Sequence, residues 1–65
     1  MMNETMLELM RKGFSVYIGI EEDGFCVSLI KNVKLDKSAK GISYTPEKSL
    51  AKAMLEYIDN HGRIE

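Results

Sequence analysis

The chain has 65 residues, a net charge of −1, one cysteine and one histidine, so a disulfide within the chain and a Cys/His zinc cluster are both excluded. No apolar run approaches the ~20 residues that span a bilayer, so no membrane association is expected and the lone cysteine suits a reducing cytoplasm. A domain this short hides only ~60% of its unfolded surface, and self-association is the remaining way to enlarge the core, so a homo-oligomer is expected over one domain covering residues 1–65.

In chain order, Asn3 is suited to cap a helix running to about Lys12, with Met6, Leu7 and Met10 on its apolar side and Arg11 and Lys12 at its negative end. Gly13 is a left-handed stop. Phe14, Val16, Ile18 and Ile20 then alternate with Ser15, Tyr17 and Gly19, the pattern of a half-buried strand. Glu21-Glu22-Asp23-Gly24 reads as a hairpin loop. Phe25, Val27 and Leu29 alternate with Cys26, Ser28 and Ile30 in a second strand, whose phase can persist to Val33 and Leu35 if Lys31 lies at a bulge or snorkels. Asp36 to Lys40 reads as a charged connection, and Ile42 and Tyr44 as a short third strand.

The run from Gly41 to Ala51 is the most explicit in the chain. Thr45 is an N-cap, Pro46 occupies the first helical position and Glu47 favours the positive end of the dipole. The helix is expected from Pro46 to about Asn60, with Leu50, Met54, Tyr57, Ile58 and His61 in one stripe and Gly62 as its stop. The fold class is therefore α+β: an α-β-β-β-α order, a three-stranded antiparallel sheet and both helices on one face. Phe14, Val16, Ile18, Ile20, Phe25, Val27 and Leu29 are expected to face Leu50, Met54 and Ile58.

No catalytic set is present. His61 has no base, acid or nucleophile to match it and suits the helix C-terminus. Cys26 has no histidine placed to activate it. Glu21, Glu22 and Asp23 are consecutive and suit a solvated tip better than a metal site. We therefore expect neither an enzyme nor a cofactor nor a metal. Two surfaces remain. One is the sheet face opposite the core, or the sheet edge, expected to carry Tyr17, Cys26 and Ile30 and to serve self-association or a protein partner. The other is a basic block, Lys31 to Lys52, with six lysines against Asp36 and Glu47. Within it Lys37, Lys40, Lys48 and Lys52 are the candidates for holding a nucleotide or another phosphorylated ligand.

Two families share this element order. Phe14 to Ser28, a strand running into an acidic turn with glycine, then an aromatic residue and a second strand, resembles the opening of the partial RNase-H-like core of HicB-type antitoxins. Gly41 to Ala53, a glycine before a threonine-capped helix, resembles that family's later segment. In place of the family's proline and glycine-cysteine segment stands the lysine-rich run Asn32 to Lys40, and no DNA-binding domain accompanies the match, so repressor activity does not carry over. What the resemblance implies is a small bacterial or phage protein, antitoxin- or inhibitor-like, that occludes a partner protein. The order is also similar to that of the double-stranded RNA-binding domain, but Pro46-Glu47-Lys48-Ser49 supplies one lysine where that family places a cluster. The alternative to protein binding is an oligomeric module for a nucleotide, with duplex RNA behind it.

Overall fold

In the computed structural model, which describes residues 2–21 and 23–64 (of Met2 and Asn3 the main chain only), five elements follow one another: α1 (Met2–Arg11), β1 (Phe14–Ile20), β2 (Cys26–Asn32), β3 (Lys37–Ser43) and α2 (Pro46–His61). The strands form an antiparallel meander in the order β1-β2-β3. Leu9 of α1 and Leu50, Ala53 and Tyr57 of α2 meet Phe14, Ile30 and Ala39 in one buried cluster, which puts both helices on the same face. This is the α+β order expected from the sequence.

Local chemistry sets most boundaries. Thr45 is in extended backbone (φ −129°, ψ 152°) and its hydroxyl accepts from the Lys48 N–H at 3.2 Å, with Pro46 opening the helix behind it. The Gly62 N–H donates to the Ile58 carbonyl, and Gly62 takes a φ of 87° that a side chain would oppose. At the other end of the chain, α1 starts before Asn3, so Asn3 is inside the helix rather than its cap; its side chain lies outside the described residues. The inward side of α1 is Leu9 with half-buried Met6, while Leu7 and Met10 are exposed, a rotation from the expected stripe.

The sheet differs from expectation in two places. First, β3 begins at Lys37, so the charged stretch before Ile42 is strand rather than connection. The chain reverses over residues 33–36, where Asn32 Oδ1 accepts from the Leu35 N–H at 3.0 Å and Asp36 takes a left-handed φ of 56°. Val33 and Leu35 are consequently exposed in a turn and do not prolong β2. Lys31 and Asp36 form an ion pair across this turn at 3.1 Å.

Second, β2 has the opposite phase. Pairing Phe14 with Asn32 and Ile20 with Cys26 places the even-numbered residues of both strands on the helix side. Cys26, Ser28, Ile30 and Asn32 are buried there, and Val27 and Leu29 face away from the helices. The reason is how closely α2 approaches. A side chain at Gly41 would run into the carbonyl oxygen of Ser49 and the amide nitrogen of Ala53, and Ser28 and Ser49 touch through their hydroxyls at 2.6 Å, both fully buried. Only the smaller row of β2 fits under a helix at that distance. The same seating rotates α2, so that Ser49, Leu50, Ala53 and Tyr57 are buried and Ile58 is exposed. It also leaves the far end of β1 uncovered: Ile18 is half-buried and Ile20 is 77% exposed.

Candidate interaction face

The sheet face turned away from the helices is built by the odd residues of β1 and β2 and the even residues of β3. The register lays them out in rows: Ser15–Lys31–Ser38, then Tyr17–Leu29–Lys40, then Gly19–Val27–Ile42. Beyond the last row Phe25 and Tyr44 stack, with ring centroids 4.8 Å apart and planes 35° apart, a spacing at which aromatic pairs attract. Tyr17 lies back over Gly19, where a Cβ would meet its hydroxyl at 2.6 Å. Glycine there lets the ring lie flat along the strand.

The face is thus graded. Its middle and one end are apolar and aromatic, with Tyr17, Leu29, Ile42 and Tyr44 all exposed and Phe25 and Val27 half-buried. At the aromatic end Glu21 and Asp23 join Phe25, Val27 and Ile42 in lining a shallow depression; Lys31, ion-paired with Asp36, stands in the row at the opposite end, and Lys40 on the β3 side of the middle row. The hairpin tip that carries the acids is held by the Gly24 N–H to the Glu21 carbonyl (3.0 Å) and by Asp23 Oδ1 accepting from the Phe25 N–H (3.2 Å). The face thus has an apolar and aromatic centre with charged residues around it.

Of the residues the sequence pointed to, Tyr17 is on this face, 62% exposed. Cys26 and Ile30 are not. Both are buried on the helix side, because the phase of β2 is reversed, and Cys26 Sγ lies 3.8 Å from the Tyr44 carbonyl. Cys26 sits opposite Ser43 at one end of β3. The His61 ring is at the other end, where its Nε2–H donates to the Ser38 carbonyl at 3.1 Å and its centroid lies 4.9 Å from that of Tyr57, the rings tilted by 59°. Five residues of strand, ~17 Å, separate Ser38 from Ser43. Phe25, Val27, Leu29, Ile42 and Tyr44 were not read as surface contacts; the aromatic residues flanking the strands at positions 25 and 44 were the available signal.

The lysines are spread out. Lys40 and Lys52 line one open groove beside the β3 edge, but Glu56 and Asp59 line it too. Lys37 adjoins Ser38 and hence the C-terminal end of α2, whereas Lys48 is in its first turn. The intervening 13 residues of helix span ~20 Å, so these two cannot meet on one phosphate. Among the described residues no group of three His, Cys, Asp or Glu is placed to hold a metal, and no helix is long and apolar enough to cross a membrane.

Compared with known proteins, the chain matches no family model, no curated protein and no solved structure.

Proposed function

We propose that this chain is a small non-catalytic binding protein, inhibitor- or antitoxin-like, that works by covering part of a partner protein with the open face of its sheet. The observation that carries this reading is the uncovered aromatic and apolar patch of Tyr17, Phe25, Val27, Leu29, Ile42 and Tyr44. Tyrosines and phenylalanine supply large contact area at low entropic cost and are enriched where binding energy concentrates. Occlusion asks for a rigid surface and nothing more, and a sheet backed by two helices is one. The acids Glu21 and Asp23 at one end of the face and Lys40 on its β3 side would orient the partner and set the salt dependence of its association rate.

A photo-crosslinking amino acid at Tyr44, with one at Leu55 on the outer side of α2 as control, tests this in the cells that make the protein. The expected result is a single adduct from position 44 and none from 55. The captured protein, once purified, should bind the wild-type chain and lose both its binding and its inhibition by a folded Val27→Asp variant. Equal adducts from both positions, or undiminished binding by that variant, would remove the face from consideration. A phosphorylated ligand held by lysines is the second reading; the acids lining the Lys40–Lys52 groove and the distance between Lys37 and Lys48 place it behind the first.

A further inference from the structure

We infer that β1 is a self-pairing edge, through which two copies of this chain join antiparallel, centred on Tyr17, into one continuous six-stranded sheet. This does not rest on the partner-docking reading. The Glu21 N–H donates to the Phe25 carbonyl at 2.8 Å and the Val33 N–H to the Gly13 carbonyl at 3.1 Å. In an antiparallel ladder the direction of the main-chain groups alternates. The odd-numbered residues of β1 therefore bond to β2, and Phe14, Val16, Ile18 and Ile20 turn their N–H and C=O groups outward to the sheet edge.

A second β1 satisfies all of these groups in one register. With Tyr17 on the two-fold axis, Phe14 pairs with Ile20 of the second copy and Val16 with Ile18, each exchanging both bonds. The side chains agree with the backbone. On the helix side the exposed Ile20 comes beside Phe14 of the second copy, and the two half-buried residues Val16 and Ile18 meet each other. On the open side the tyrosines face one another across the axis. β1 carries neither a charge nor a proline along its length, two of the devices by which sheet edges are blunted.

The other edge behaves oppositely. The alternation carried across β2 turns Ser38, Lys40 and Ile42 outward from β3, and the most complete two-fold register there sets Lys40 directly against its own copy, a like-charge pair. The sheet thus has one edge suited to a second copy and one edge that repels it, which gives a closed pair and not a filament.

Sedimentation and native mass spectrometry from micromolar to hundreds of micromolar should show a particle of twice the 7.4 kDa chain mass. Ile18→Pro removes an outward N–H and leaves the bonds to β2 in place, so this variant should run as a single folded chain by circular dichroism. Ile42→Asp, on the open face beside the far edge, should still pair. If Ile18→Pro fails to fold, Tyr17→Lys and Tyr17→Glu decide the matter: each alone should be single chains, and mixed in equal amounts they should pair, because unlike charges then meet on the axis. A wild-type chain that stays single throughout the range overturns the inference. So does a pair that survives Ile18→Pro and is lost in Ile42→Asp, which would be a face-to-face contact, or a Lys/Glu mixture that fails to pair.

Discussion

The hydroxyls of Ser28 and Ser49 show how a single polar contact governs the helix–sheet seam. Ser49 Oγ–H donates to the Pro46 carbonyl at 2.8 Å, so at the 2.6 Å contact between the two serines it is Ser28 that donates and Ser49 that accepts. The two substitutions are therefore unequal. Ser28→Ala removes a donor and leaves Ser49 satisfied by Pro46, a loss of about 1 kcal/mol. Ser49→Ala strands the Ser28 hydroxyl in a fully buried position and should cost about 2–3 kcal/mol. The double alanine variant strands nothing and should be more stable than Ser49→Ala alone. Urea midpoints of the three variants check the order, and equal losses for the two single changes would mean that Ser28 donates elsewhere. Replacing Ser28 with a larger residue is a different matter, because the neighbouring Gly41 shows that no room exists under α2 for added atoms.

Among the elements, those specified by their own residues were legible and those specified by packing were not. Thr45-Pro46 and Gly62 mark the ends of α2 by capping chemistry, and Phe14 to Ile20 alternates cleanly, so helix, strand and element order follow from local pattern. β2 presents usable residues on both sides, Val27 and Leu29 on one and Cys26, Ser28 and Ile30 on the other. The larger apolar row invited the inward assignment. What decided the phase was the close seat of α2 against Gly41, which no stretch of β2 records. The first part of β3 was hidden for another reason: Lys37-Ser38-Ala39-Lys40-Gly41 is poor strand material by propensity and becomes strand because the Asn32 and Asp36 turn returns it onto β2. The candidate face inherited the error, so Tyr17 was found and the Phe25–Tyr44 pair was not. The phase makes a sharp prediction. Ile30→Asp buries an unpaired charge in the core and should unfold the domain, while Leu29→Asp, on the next residue, should leave it folded with a loss within about 1 kcal/mol. Thermal melts of the pair measure this, and the reverse outcome would restore the sequence-based phase.

For the whole molecule, size and exposed surface bear on the same question. A domain of this length has a stability of the order of 3–10 kcal/mol by the usual allowance per residue, and its core here is one cluster in which Ala39 and Ala53 sit among Leu9, Phe14, Ile30, Leu50 and Tyr57, with Ile20, Leu55 and Tyr44 all largely exposed. Pairing through β1 would add buried apolar area where the molecule most lacks it, at the end of the strand that α2 does not reach. Such pairing couples folding to association, because mass action favours the joined state as the chain concentration rises. Each tenfold increase in concentration then adds about 1.4 kcal/mol per mole of dimer, which for two chains of this length raises Tm by about 5 °C. Scanning calorimetry over two decades of concentration should therefore show a Tm that climbs for the wild type and stays level for Ile18→Pro, whose edge cannot complete the ladder. The contrast between the two slopes is the informative quantity, since a proline that merely loosened the domain would lower both ends of the curve and preserve its rise.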